Sequence, residues 1–203
     1  MKAKLGFGLL AVACVFMGTA AAQQTVDGFV IPGNLPLLKL PIVVTTCGQG
    51  PGALMFDVIC DTAGIPCEER ELLTVEEFVS ECTGDTAWNV LVIITGTSLK
   101  GMGAAGVDVD SEVKRCLALI AAARELGVTI IVAQIEGPSR RTDESDEKSI
   151  RAMTPEADLL ITRSDVNNDG YFTRIAEEKG IPQIFIEKTL DLQRLLPILF
   201  GMN

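Results

Sequence analysis

Three runs of continuous apolar, largely β-branched residues constrain the fold more than anything else in the chain. They are residues 40–46, which end PIVVTT, residues 89–95 (NVLVIIT) and residues 128–135 (VTIIVAQI). A strand that is apolar at successive positions has to be covered on both faces, and that environment is a parallel sheet with helices on either side. Between these runs the apolar spacing changes to that of helices. Residues 52–63 place Ala53, Phe56, Ile59, Cys60 and Ala63 on one face. Residues 75–82, 110–126, 143–153 and 171–179 follow, with Gly127 and Gly180 as stop signals, and residues 190–200 form a last helix bent at Pro197. Weaker strands are expected at 67–73, 159–162 and 183–187. The alternation predicts an α/β domain in three layers, with a mostly parallel sheet of about six strands, Rossmann-like or flavodoxin-like. In such sheets ligands bind beyond the carboxyl ends of the strands, so the loops after each strand hold the candidate site.

A leader is expected ahead of the domain. Lys2 and Lys4 precede an uncharged apolar run from Leu5 to Met17, and Ala20-Ala21-Ala22 supplies small residues for cleavage before Gln23. Residues 1–22 therefore read as a secretory signal peptide, too short to span a bilayer, which needs about 20 apolar residues. A lipoprotein reading through Cys14 is disfavoured by Ala11 and by the apolar residues after Cys14. The n-region has no Arg-Arg pair, which argues against export in a folded, cofactor-loaded form. Residues 23–39, with Gly28, Pro32, Gly33 and Pro36, read as a spacer, and residues 40–203 as one domain. The expected location is periplasmic or extracellular, with no stable membrane insertion once the leader is removed.

Charge and residue types narrow the chemistry. The net charge of −10 makes nucleic acid and anionic membranes poor partners. The chain has no histidine, which excludes the Ser-His-Asp triad, the Cys-His dyad and histidine-based metal sites. Any metal would be a hard ion such as magnesium or calcium on oxygen ligands. Behind the leader are Cys47, Cys60, Cys67, Cys82 and Cys116, an odd number, so at least one thiol is unpaired or bridges to another chain. Cys82 and Cys116 fall in phase with apolar helix positions and are expected to be buried and unpaired. Cys60 and Cys67 flank the Gly64-Ile65-Pro66 turn, where pairing and free thiols both remain open.

Four loops carry candidate chemistry. After the first strand, Gly48, Gly50 and Ala53 fit G-x-G-x-x-A, with Pro51 near the start of a helix. The readings are anion binding at the helix N-terminus, plain turn chemistry and, against the export route, a dinucleotide. Cys47 precedes this loop, either as a buried thiol or as a nucleophile with a pKa lowered by the helix. After the third strand, residues 96–110 read as a Gly/Ala-rich binding loop or lid, in which Ser98 and Lys100 could donate to an anion. Asp108, Asp110 and Glu112 could hold a cation, although Asp110 reads more simply as a helix cap. Arg140 and Arg141 follow the fourth strand, suited to a carboxylate or phosphate or else offsetting the nearby acids. Asp165, Asn167, Asp169 and Gly170 match half a calcium loop, but Ala176 stands where its glutamate belongs, so a turn is the simpler reading.

Three stretches, TTCGQG at residues 45–50, KGMGAAGVDVDSEVKR at 100–115 and NNDGYFTRIAEEKGIP at 167–182, resemble a family of short exported bacterial proteins of uncharacterised function. The resemblance covers about residues 40–200, and residues 100–112 are its most specific part. It implies an exported three-layer α/β domain and no established activity, so it assigns no catalytic residue.

The expectation is an exported domain that binds a small polar or anionic ligand at the strand carboxyl ends, as an accessory to a transporter or sensor. Gly48, Gln49, Gly50, Ser98, Lys100, Arg140 and Asn168 form the expected lining. No cofactor is identified. Two alternatives stand beside it: a histidine-free enzyme using Cys47 or a carboxylate-held magnesium or calcium ion, and an acidic protein-interaction module.

Overall fold

The computed structural model describes residues 22–84 and 87–202. The expected signal peptide lies, except for Ala22, outside the described residues. Where a spacer was expected, β1 (Gln24–Val26) and β2 (Phe29–Ile31) form an antiparallel hairpin, turned by Asp27 and Gly28 at positive φ.

The domain then alternates as the apolar pattern predicts. β3 (Ile42–Cys47) leads through α1 (Gly52–Ala63) to the short β4 (Cys67–Glu69). α2 (Val75–Cys82), β5 (Val90–Thr95), α3 (Leu99–Ala105) and α4 (Val109–Leu126) follow. The chain continues through β6 (Thr129–Gln134), α5 (Glu144–Met153), β7 (Leu159–Arg163), α6 (Tyr171–Lys179), β8 (Gln183–Ile186) and α7 (Leu192–Leu199). The six main strands are all parallel, in the order β4-β3-β5-β6-β7-β8. This is the flavodoxin-like arrangement, with its topological switch between β3 and β5.

Alternate residues of the central strands enter two cores. Ile42, Val44, Val92 and Ile94 pack with Phe56 of α1 and Leu195 of α7. Val43, Leu91, Ile93 and Val132 pack with Phe78 of α2 and Leu119 of α4 on the other face. Burying both faces explains why these strands are apolar throughout rather than alternating.

Two expectations about the region after β5 need correction. Residues 99–105 are a helix rather than an open lid, started by the Ser98 hydroxyl accepting from Gly101 N–H and ended by Gly106. α4 is capped by Asp108 rather than Asp110: the Asp108 carboxylate accepts from Ser111 N–H, and Asp108 N–H donates to Ser111 Oγ. Among the described residues no helix is long and apolar enough to cross a membrane.

Candidate functional site

Loops at a switch point normally present free backbone N–H groups to a ligand, because the helices that begin there leave their first donors unpaired. Here the chain fills those positions itself. Gly48 N–H donates to Glu112 Oε2 at 3.0 Å, and Gly50 N–H to Thr46 Oγ1 at 3.3 Å. Gly52 N–H, at the start of α1, donates to Glu136 Oε1 at 3.0 Å. On the β5 side, Thr97 N–H donates to Asp146 Oδ1 at 2.7 Å and Gly96 N–H to Ser149 Oγ at 3.4 Å. The two loops are stitched by a bridge between Gln49 and Thr97, with Ser98 N–H donating to Gly48 O at 2.8 Å.

The glycines serve this internal packing. Gly48 has φ +124, and a Cβ there would lie 2.5 Å from Thr97 Cγ2. A Cβ on Gly50 or Gly52 would lie 2.6 Å from Glu136 Oε1. The G-x-G pattern therefore admits a carboxylate of the chain where a phosphate-binding loop would admit a ligand. The N–H groups of Gly48, Gly50 and Gly52 are thus taken by side chains of the protein itself, which counts against anion or dinucleotide binding through these three donors.

The arginines are engaged too. Arg140 Nε donates to Glu136 Oε2 at 3.0 Å and its Nη1 to Thr97 O at 2.9 Å. Burial pushes the Glu136 carboxyl above its ordinary pKa, with the Arg140 and Gly52 bonds pulling the other way. Arg141 is tied to Glu147 and Asp169, and Arg163 to Asp165. Both carboxylates of the half calcium loop are thus in ion pairs, and among the described residues no three His, Cys, Asp or Glu side chains gather as a metal site.

Beneath the loops, Glu112, read from the sequence as a possible cation ligand, is instead clamped by Arg115 of the same helix, α4, a pairing that sequence reasoning missed. Glu112 is buried, and its carboxylate accepts from Arg115 Nε, Gln49 Nε2 and Gly48 N–H. Arg115 reaches on to Thr46 O at 2.6 Å and Leu73 O at 3.2 Å. Burial opposes its charge, but the bonds to Glu112 hold its pKa above the usual value. The signal was present as charge pairs at helical spacing, Glu112 with Arg115 and Glu136 with Arg140, which read equally well as solvated faces.

What stays open is a cleft of about 490 Å³ beside the bridge, between the end of β4, the start of α1 and the start of α3. Gln49, Gly50, Ser98, Lys100 and Arg140 border it, as expected, and Glu69 and Glu71 form its acidic wall. Burial, then the neighbouring Glu71, push the Glu69 carboxyl up. Gly48 lies underneath and is buried. Asn168 is not part of this cleft: it borders a separate hollow with Arg141 and Asp165. Gln49 stands out by its conformation. It is a non-glycine residue at φ +57, 4% exposed, and its side-chain Oε1 has no hydrogen-bond partner.

Cys47 is fully buried in the same core as Cys116, whose thiol donates to Thr46 O at 3.7 Å. That placement keeps the Cys47 thiol away from solvent. Cys116 is buried as expected, whereas Cys82 is only partly covered, because Val79 on the same helix face is itself exposed.

A family model described as domain of unknown function (DUF6305) matches residues 39–200, and the chain belongs to that family. No curated protein sequence matches it. Among solved structures, similarity is found to a GDSL-like lipase from Bacteroides thetaiotaomicron, at 12% identity and TM-score 0.33, over 70% of this chain and 65% of that one. A putative acylhydrolase from Bacteroides fragilis matches at 8% identity and TM-score 0.35, over 70% and 64% of the two chains. A CheY-like protein from Pseudomonas aeruginosa matches at 18% identity and TM-score 0.34, over 67% and 94%. The chain thus spans just under two thirds of the length of the two hydrolases. At these scores no residue role passes from any of them to this chain.

Proposed function

We propose that this member of the DUF6305 family is an exported binding protein that holds a small polar molecule in the cleft beside the β3–β5 switch and serves a transporter or sensor. Gln49 carries the reading. A buried acceptor without a partner costs about 1–3 kcal/mol, and a strained backbone position costs about 1–3 kcal/mol more. A side-chain turn that brought Gln49 Oε1 to the cleft would let a ligand N–H or O–H recover the first of these. The walls suggest the rest of the ligand: Glu69 and Glu71 favour an ammonium group, and Lys100, exposed on the opposite wall, favours a carboxylate. A zwitterion of amino-acid size suits both. A purely anionic ligand is less well served, because Glu136 already neutralises Arg140.

A thermal-shift screen with amino acids, dicarboxylates and monosaccharides would supply a probe. Titration calorimetry with that probe then compares the wild type with Lys100→Ala and Glu71→Ala, two exposed side chains. Each variant should bind at least about tenfold more weakly, the size of one charge-assisted hydrogen bond, with the ligand-free melting temperature unchanged. Unchanged affinity in both would remove this cleft as the site.

One observation favours a second reading, an interaction surface. Leu54 and Val58 of α1 and Leu190 before α7 are 57%, 54% and 65% exposed around an apolar hollow of about 540 Å³. Sedimentation of the wild type and Val58→Glu over a range of concentrations tests whether this strip drives self-association.

A further inference from the structure

A second feature of α1 is independent of the cleft's ligand. Cys60, in its last full turn, is completely buried, and Cys67, the first residue of β4, is partly exposed. The turn between them fixes their approach. Gly64 ends the helix in the left-handed conformation, Ile65 N–H returns to Cys60 O at 2.9 Å, and Ile42 N–H bonds to Pro66 O at 3.0 Å. The register then sets Cys67 beside Ile42 at the edge of the sheet, packed against the core that contains Cys60. The neighbouring Cys60 and burial, then the charge of Asp57 one turn before Cys60 on α1, push the Cys67 thiol above its ordinary pKa.

We propose that Cys60 and Cys67 form a structural disulfide that pins the end of α1 to the edge strand β4. The oxidant is a disulfide compound of the exporting compartment. The Cys67 thiolate, reachable from solvent, attacks one oxidant sulfur and releases the first thiol. Buried Cys60 then attacks the Cys67 sulfur of the mixed disulfide and releases the second. Two protein S–H groups and one oxidant disulfide become one protein disulfide and two small thiols, so the two protons and two electrons leave with the oxidant. The neighbouring Cys60 and burial, then Asp57, disfavour the Cys67 thiolate, which makes the exchange slow and suits a bond formed once during maturation rather than a catalytic couple. The bond also steadies the cleft's acidic wall, since β4 carries Glu69 and runs on to Glu71.

The buried pair of Cys47 and Cys116 is an internal control, because both are sealed from solvent in the folded protein. The test starts from reduced, folded protein treated with oxidised glutathione, then denatured and alkylated with N-ethylmaleimide. Labelling within residues 22–203 should fall from five cysteines to three, Cys47, Cys82 and Cys116. Cleavage at Asp61 should leave the Cys60 and Cys67 fragments joined until reductant is added. The oxidised protein should melt about 5–10 °C above the reduced one, as expected for a cross-link closing a short loop in a domain of this size. In Cys67→Ser, all four remaining cysteines should stay labelled. Five labels after oxidation, a cross-link to any other cysteine, or loss of thiols in Cys67→Ser would overturn the assignment.

Discussion

Replacing Arg115 by methionine tests whether the α4 clamp holds the switch-point loops. Methionine keeps much of the length and apolar stem of arginine and removes the guanidinium. The loss has two parts. Glu112, 1% exposed, would be left with only the Gly48 and Gln49 donors. Stranding one partner of a buried pair costs about 3–5 kcal/mol. The carbonyls of Thr46 and Leu73 would also lose a charged donor, at about 1–1.5 kcal/mol each. These terms overlap, and Arg115 keeps some contact with water at 15% side-chain exposure, so about 3–4 kcal/mol is the expected total. That corresponds to a fall of about 6–16 °C in melting temperature for a domain of this size. Urea unfolding followed by circular dichroism measures it directly.

The companion variant is Arg115→Met with Glu112→Gln. Glutamine still accepts a hydrogen bond but carries no charge, so the double variant should be about 1–2 kcal/mol more stable than Arg115→Met alone. A loss below about 1.5 kcal/mol for the single variant would refute the clamp. A double variant less stable than the single one would refute its electrostatic basis.

Two further perturbations follow from the same loops. Asp146 is held below its ordinary pKa, since burial is outweighed by donors from Thr142 and Thr97. A depressed acid stabilises the fold above its unfolded value of 3.8 and loses that contribution as pH falls through its folded value. The melting-temperature gap between wild type and Asp146→Asn should therefore shrink below about pH 4, and a constant gap would contradict this. In α3, a Cβ at Gly101 would lie 2.2 Å from Gln49 O, whereas Gly103 faces open space. Gly101→Ala should destabilise by more than about 2 kcal/mol, and Gly103→Ala should stabilise by about 0.5–1 kcal/mol, both read by urea unfolding.

The layered architecture was legible because runs such as NVLVIIT leave no face for solvent, and because Gly127 and Gly180 mark helix ends. The strand order was not, since it depends on which edges meet. α3 was invisible for a local reason: LKGMGAA has the composition of a loop. It becomes a helix only because Ser98 caps it and Gly101 packs against the Gln49 carbonyl. The β1–β2 hairpin was lost among glycines and prolines in the same way. At the strand ends, Gln49, Gly50, Ser98, Lys100 and Arg140 border one cleft, whereas Asn168 follows a strand two positions farther across the sheet and borders another hollow. The sequence could not show that Arg140 is consumed by Glu136. An arginine awaiting a ligand and one paired with a nearby glutamate look alike until the turn between them is known.

That pairing leads to the sharpest expectation about the site. Glu136 takes the place an anion would occupy: one oxygen accepts from Gly52 N–H at the head of α1 and the other from Arg140. Its raised pKa means that the folded state disfavours the charge, so this carboxylate costs stability as pH rises through its folded value. Truncating it with Glu136→Ala leaves a helix N-terminus, a guanidinium and a space the size of a carboxylate. These are the components of an oxyanion site. Sulfate should enter it. With a dissociation constant of about 1 mM, 20 mM sulfate would stabilise the variant by roughly 1.8 kcal/mol, which is about 4–7 °C in a domain of this size. Chloride at matched ionic strength should give much less, because it cannot bridge the amide and the arginine. The wild type, with its own carboxylate in place, should show no difference between the two salts. Equal shifts in sulfate and chloride for Glu136→Ala, or a sulfate-specific shift in the wild type, would show that Glu136 does not stand in for an anion.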